Sequence, residues 1–372
     1  MSDQTSKKIE VYNFVIQALK SVSTYAVWDE EQMHFQPNPH VLLATEADVD
    51  WLYYDGAYKP SDMFVMKAIA ALTCSGVEHI AALTEFYRRE DIRKASAEGR
   101  TKLAIPQLDS YGKTWSKLID FCHTGIVERY DFRPQIPAEG REDKEESVFL
   151  ASAHGVRLYR KVLNKVDFPF DPFDNIVPAH EAFSYCLQAE ALCPFLYSRC
   201  LKSVKFKYMQ KILNKRHKAN CLMTFNPDGA EAPSKDEVDV FVEGITFRTC
   251  QNYVPEATRY DYVTRHVSEC LGIVKAHLEG GRDSYIVFCC EDGPGMQKLT
   301  KIVYEQAPDL LDRCLFTSGN VLRSADALHN PRNLRNCFLK FDMLPDGKYQ
   351  LDGVTEPFWI KIDEDGFAAK KL

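Results

Sequence analysis

The chain has 372 residues, of which 45% are hydrophobic and 27% are charged, and its formal net charge is −7. This composition is typical of a globular protein of about two domains, and no apolar run approaches the roughly 20 residues of a membrane-spanning helix. The net acidity argues against attraction of nucleic acid over the whole surface, although a local basic surface remains compatible with it. The twelve cysteines form no Cys-x-x-Cys pair, so we expect a cytoplasmic protein with reduced thiols and no membrane association.

Residues 1–59 are assigned to an N-terminal extension, in which an apolar stripe predicts a short helix over 7–20 and the rest is irregular. The next segment, 60–165, predicts three short helices, a two-stranded hairpin and a fourth helix. The first helix follows the capping residues Ser61 and Asp62, and His123-Thr124-Gly125 ends the third. The predicted bounds are 60–72, 77–88 and 111–122 for the helices, 126–132 and 147–151 for the strands, and 153–163 for the fourth helix, with a polar connection over 89–107.

This order of elements is that of a winged helix-turn-helix domain, in which the third helix enters the major groove. The segments "WSKLIDFCHTGIVERYDF" and "VFLASAHGVRLYRKVL" resemble the winged-helix family of prokaryotic DNA-binding proteins. Lysines one helical turn apart would then face DNA beside polar residues at the helix start, and arginines would lie in or beside the wing. The predicted DNA contacts in this domain are Ser110, Tyr111, Lys113, Thr114, Lys117, Arg129 and Arg133.

A proline-rich linker over 166–179 separates a second domain, 180–330, from the first, and a β-rich tail covers 331–372. In the second domain we expect helices over 180–192 and 195–215, then strands over 220–225 and 238–248. A helix over 256–278, a strand over 284–290, a helix over 296–306 and a strand over 313–317 follow. This order resembles the restriction-endonuclease-like fold, and another open α/β sheet is the alternative. The fold class is α+β.

The strongest charge pattern lies between Ala191 and Pro227, where eight Lys or Arg residues occur without an Asp or Glu. Uncompensated charges of one sign repel one another unless phosphates or distant acids neutralise them. One interpretation is a solvated helix face paired with the acidic remainder of the chain, and the other is a phosphate-contacting face. Under the second interpretation the DNA contacts include Lys202, Lys205, Lys211 and Lys215.

A nuclease of the restriction type holds Mg²⁺ with an Asp and a Glu on neighbouring strands and adds a Lys two residues after the Glu. Asp228 and Glu243 stand in such positions, but Ile245 replaces the lysine. Asp239 shares a face with Glu243, yet four residues of strand place them about 13 Å apart. The pattern favours a degenerate fold that does not cleave, and Mg²⁺ enters only under the nuclease alternative. No His-x-x-x-His or His-Glu-x-x-His motif is present, so no zinc site is predicted.

A winged-helix half followed by a nuclease-like half with Pro227-Asp228 and a "VFVEG" strand resembles the replication-relaxation proteins of plasmids and integrative elements. The resemblance implies a DNA-associated role in replication, transfer or transcriptional control. The first hypothesis is therefore a non-catalytic protein that binds double-stranded DNA. The alternatives are a Mg²⁺-dependent nuclease that uses Asp228 and Glu243, and a protein-interaction module within a larger replication or transfer complex. The sequence leaves the oligomeric state open.

Overall fold

The computed structural model of the chain describes residues 33–35, 60–99, 111–132, 146–152, 155–156, 158–159, 179–212, 215–230, 236–247, 256–334, 337–343 and 349–354. Helices and strands both contribute, so the chain is an α+β protein, as the sequence predicts. The chain divides into two compact units, one built from 28–134 and 143–189 and the other mainly from 190–372. No helix in these described ranges is long and apolar enough to cross a membrane.

The first unit combines helices with a small sheet. Its elements up to residue 151 are β1 (Met33–Phe35), α1 (Pro60–Leu72), β2 (Cys74–Gly76), α2 (Val77–Ala97), α3 (Tyr111–His123), β3 (Val127–Phe132) and β4 (Glu146–Ala151). The strands pair in the order β1-β3-β4-β2, and β3 and β4 form the antiparallel hairpin that the sequence predicts.

The predicted helices α1 and α3 are confirmed, whereas the predicted end of α2 is wrong. This helix continues for nine residues beyond Arg88, through a stretch that the sequence marked as a polar connection. Within the extension, Lys94 pairs with Glu90 one turn earlier, and Arg88 pairs with Glu85 just before it. The charged residues after Arg88 are therefore part of the helix, and those between Arg89 and Arg93 are half-buried.

The chain after β4 packs closely on the loop between α3 and β3. A β-carbon added at Gly155 would lie 2.0 Å from the carbonyl oxygen of Ile126, so glycine is the residue that this contact admits. The hydroxyl of Ser152 donates to the Gly125 carbonyl and accepts from the Gly155 amide. Residues 155–156 and 158–159 are helical, in agreement with the predicted fourth helix.

The second unit is built on a seven-stranded sheet. A helix, α4 (Ala179–Leu192), precedes the sheet, and the division between the two units falls within it, at Glu190. The strands are β5 (Leu201–Ile212), β6 (Lys215–Phe225), β7 (Val238–Ile245), β8 (Asp283–Cys290), β9 (Cys314–Ser318), β10 (Phe338–Met343) and β11 (Tyr349–Val354). They pair in the order β11-β10-β9-β8-β7-β6-β5. Strands β7, β8 and β9 are parallel, and the remaining neighbours are antiparallel.

Two helices, α5 (Glu256–Glu279) and α6 (Gly293–Gln306), connect the parallel strands and pack on one face of the sheet. The apolar run of β8 is buried, as expected of a strand covered on both faces. Asp292 caps α6 by accepting a hydrogen bond of 2.8 Å from the Gly295 amide. A short helix, α7 (Gly319–Ser324), follows β9. One hydrophobic core of the unit therefore lies between the sheet and the helices α5 and α6.

The predicted helix over 195–215 is wrong. Residues 193–197 form one 3₁₀ turn, residues 201–212 form the β5 strand, and Lys215 begins β6. Val204, Phe206 and Tyr208 alternate with lysines, and this period of two is the strand pattern that the charge count obscured. The C-terminal strands β10 and β11, expected as a separate tail, extend the same sheet.

Candidate nucleic-acid interface

The β5–β6 hairpin projects beyond the neighbouring strand. The two strands stay paired from Ser203 with Thr224 out to Ile212 with Lys215. Strand β7 pairs with β6 only over Cys221–Phe225. We call residues 207–212 and 215–220, which lie past the end of this pairing, the basic arm. Strand β5 of the arm is an edge strand of the sheet, so its free edge is accessible to another molecule.

Three cations cluster on one face of the basic arm. Met209 lies directly opposite Lys218, and Lys211 lies directly opposite Arg216. Because opposed residues and residues two apart share a face of a β-ladder, all four side chains point to the same side. All four are exposed, Met209 to 57%. In the described part of the chain, no carboxylate lies within salt-bridge distance of Lys211, Arg216 or Lys218.

The opposite face of the basic arm is anchored to α5. The His217 ring packs on Gly272, where an added β-carbon would lie 2.5 Å from the ring atoms. The Tyr208 hydroxyl lies 3.0 Å from His277 Nε2, and the Tyr208 ring packs 5.6 Å from that of Phe241. The arm therefore presents its cations outward from a fixed base.

A buried polar network supports this base. His277 Nδ1 lies 3.0 Å from Asp239 Oδ2, and Arg282 donates two hydrogen bonds, of 2.7 and 3.0 Å, to the same carboxylate. Thr224 donates a further one, of 2.9 Å. Burial opposes ionisation of Asp239, but the hydrogen bonds from His277, Arg282 and Thr224 outweigh it and hold its pKa below the ordinary value.

The remaining predicted cations of this segment lie nearer the sheet. Lys202 is exposed but pairs with Glu237, so a carboxylate already neutralises it. Lys205 is exposed opposite Leu222 on β6, and Lys215 is exposed at the start of β6. The structure thus gathers Lys205, Lys211 and Lys215 on one hairpin with Arg216 and Lys218.

The predicted contacts on α3 have different surroundings. Lys113 is exposed, but Thr114 is fully buried and cannot contact DNA in this conformation. Lys117 lies 3.1 Å from the buried carboxylate of Asp62 and 5.5 Å from the Phe121 ring centroid, so its charge is directed to the protein. Tyr111 begins the helix, and Ser110 lies outside the described residues. The predicted outward direction of both lysines holds for Lys113 only.

In the hairpin of the first unit, Arg129 is half-buried. Its guanidinium lies 4.9 Å from the Trp115 ring centroid, and its Nε donates a hydrogen bond of 3.2 Å to Ser147. These contacts hold the side chain against the protein. Arg133 lies outside the described residues.

The two carboxylates of the nuclease hypothesis lie far apart. Asp228 is exposed in the turn that follows β6, next to the pairing of Phe225 with Val238. Glu243 is buried near the other end of β7, where it accepts hydrogen bonds from the backbone amide and side-chain amide of Asn220. Five residues of strand, about 17 Å, separate Val238 from Glu243. Asp228 and Glu243 therefore cannot bind one metal ion together in this structure.

Sequence reasoning missed a cluster around Glu243. His266 Nε2 lies 3.2 Å from Glu243 Oε2 and 3.8 Å from Cys270 Sγ. The Cys270 and Glu243 side chains, against the opposing effect of burial, raise the pKa of His266 above its ordinary value. Burial raises the pKa of Cys270 to about 11. The signal was a His-x-x-x-Cys spacing, which places both side chains on one face of a helix but escapes a search for paired histidines.

Comparison with known proteins adds no relative. No family model, no curated protein and no solved structure matches the chain.

Proposed function

We propose that the chain is a DNA-binding protein that grips duplex phosphates with the basic arm and does not cleave them. The observation that carries this proposal is the exposed set Lys211, Arg216 and Lys218 on one face of a projecting hairpin. A two-stranded β-ribbon is one of the elements that fit a DNA groove. Exposed cations without acidic partners release counterions when they meet phosphates, which favours binding.

A second element supports the same function. Helix, strand, two helices and a hairpin follow one another in the first unit, with β2 paired to the return strand β4. We infer a winged helix-turn-helix domain from this order and assign α3 as its recognition helix. Its exposed residues include Lys113, Ser116 and Asp120, a mixed set that supplies polar contacts rather than a strong positive charge.

For the second unit, the order αβββαβαβ and the antiparallel β6 among parallel strands support a restriction-endonuclease-like fold. We propose that it has lost the metal-dependent reaction, because Asp228 lies in the turn after β6, beside the start of β7, and Glu243 lies near the end of β7. With the winged helix, this supports a role in replication, transfer or transcriptional control of a plasmid or integrative element.

The test is a binding titration of the intact chain with a fluorescent 30-bp duplex at two salt concentrations. If three phosphates are engaged, the affinity should fall about 40-fold between 50 and 200 mM NaCl. Absence of binding at 50 mM NaCl would contradict the proposal and would favour the protein-interaction alternative.

The non-catalytic part of the proposal has a separate test. Supercoiled plasmid should remain intact after long incubation with the protein and Mg²⁺ or Mn²⁺. Metal-dependent cleavage that the Asp228→Ala variant loses would overturn this part and restore the nuclease hypothesis.

A further inference from the structure

The side chains of Glu243, His266 and Cys270 form a mixed oxygen, nitrogen and sulfur donor set inside the second unit. Glu243 lies on β7, and His266 and Cys270 lie one turn apart on α5, facing the strand. One ligand atom from each side chain lies within 4.8 Å of the other two. The cluster thus joins a central strand to the helix that covers it.

Two of the three separations between ligand atoms are close to those of a tetrahedral metal site. With metal–ligand distances of about 2.0–2.1 Å for nitrogen and oxygen and about 2.3 Å for sulfur, a tetrahedral ion places its nitrogen and oxygen ligands about 3.4 Å apart and its nitrogen and sulfur ligands about 3.6 Å apart. The observed distances are 3.2 Å between His266 Nε2 and Glu243 Oε2 and 3.8 Å between His266 Nε2 and Cys270 Sγ. An ion can therefore enter with small side-chain movements.

The surroundings of the cluster favour a metal ligand set. Asn220 holds the Glu243 carboxylate through its backbone amide and through its side-chain amide, at 2.9 Å. Such outer hydrogen bonds orient metal-binding carboxylates. Glu243 and Cys270 are fully buried, while the His266 side chain is 22% exposed, which gives an ion a route from solvent.

A second histidine–carboxylate pair in this unit, His277 with Asp239, differs from this cluster. His277 and Asp239 lie on the same helix and strand, but Tyr208, Thr224 and Arg282 occupy the remaining hydrogen-bonding positions of that pair. The Cys270 thiol, by comparison, lies 3.8 Å from an imidazole nitrogen and 3.4 Å from the Lys218 carbonyl.

We propose that Glu243, His266 and Cys270 bind one Zn²⁺ ion. Thiolate, imidazole and carboxylate together suit Zn²⁺ and disfavour Mg²⁺, which requires oxygen ligands. Binding forms three metal–ligand bonds, and both the Cys270 thiol and the protonated His266 ring release a proton to solvent. Three protein ligands leave the fourth position for water or another small ligand. Because Asn220 belongs to the basic arm, the ion also fixes the base of that arm.

The test is a titration of the metal-free full-length protein with Co²⁺, which reports tetrahedral thiolate ligation by its visible and near-ultraviolet absorption. We expect one equivalent to bind with a thiolate-to-cobalt band, and Zn²⁺ to displace it and raise the melting temperature. Absence of a stoichiometric site, or a bound ion without the thiolate band, would overturn the proposal.

Two cysteine variants assign the ligand. Cys270→Ala should lose the thiolate band and weaken Zn²⁺ binding by at least about 100-fold. The matched control is Cys314→Ala, because Cys314 is equally buried and its thiol donates to the Leu310 carbonyl. A band that survives Cys270→Ala and disappears in Cys314→Ala would contradict the assignment. Should Cys270→Ala fail to fold, the wild-type cobalt spectrum and loss of the signal in His266→Gln decide the question.

Discussion

Helix α3 and the basic arm carry the same kind of residue in different surroundings. On α3, Lys117 is paired with buried Asp62. On the basic arm, Lys211 and Arg216 oppose each other across the hairpin and point to solvent. Counting lysines gives these sites the same weight. A lysine that is paired with a buried carboxylate, however, attracts a phosphate only weakly. For the proposed DNA binding, we therefore expect the arm to supply most of the electrostatic affinity and α3 to supply polar contacts.

Removing the charges of the basic arm should have the largest effect. In the triple variant Lys211→Ala, Arg216→Ala and Lys218→Ala, duplex affinity should fall about 100-fold at low salt, and the slope of log affinity against log salt should become shallower by about 2.7. The control removes Lys94, Lys275 and Lys301, which are exposed but paired with carboxylates. Equal losses in both variants would show that net charge, and not the arm, determines binding.

Gly155→Ala tests the packing of the first unit. The added methyl group meets the Ile126 carbonyl oxygen at 2.0 Å, so the backbone must move. We expect a loss of about 2 kcal/mol or more in the free energy of unfolding, measured by urea denaturation. Gly112→Ala is the control, since nothing lies within 4 Å of its added β-carbon. Equal stability of the two variants would contradict the described contact.

Much of the first unit could be predicted because its elements are local. Apolar periodicity and the signals at Ser61 and Gly125 define α1 and the end of α3. The segment that contains the start of the arm was predicted as a helix because its many lysines were interpreted as a solvated helix face. The alternation of Val204, Phe206 and Tyr208 with lysines is the pattern of a strand. The cluster of Glu243, His266 and Cys270 depends on the packing of a helix over a strand. That packing arises because α5 connects the parallel strands β7 and β8 across one face of the sheet, so no short sequence segment predicts it.

Asp239→Asn should weaken the support of the basic arm and change the acid limb of the stability curve. The folded-state pKa of Asp239 lies below its ordinary value of 3.8. Its contribution is therefore complete above the unfolded-state value and is lost as the pH falls through the folded-state value. We expect the variant to lose about 2 kcal/mol at pH 7 and to show a flatter decline of stability below pH 4. An unchanged acid limb would contradict the network.

The smallest effects are expected for the two lysines of α3, which should differ in their contributions to stability and to binding. Lys117→Ala should cost about 1 kcal/mol of unfolding free energy, because Asp62 loses its partner, and should leave the salt dependence of binding unchanged. Lys113→Ala should keep stability within about 0.5 kcal/mol and weaken duplex binding about threefold. The reverse result, in which Lys113→Ala loses stability and Lys117→Ala loses affinity, would contradict the assigned directions of the two side chains.

Site-specific photocrosslinking tests the central claim most directly, because it reports contact with DNA. A benzophenone amino acid replaces Met209, which is 57% exposed among the cations of the basic arm, or Tyr304, which is 50% exposed on α6. Under illumination with a duplex, the Met209 derivative should crosslink to DNA and the Tyr304 derivative should not. Crosslinking at Tyr304 alone, or at neither position while the duplex is bound, would contradict DNA binding by the arm.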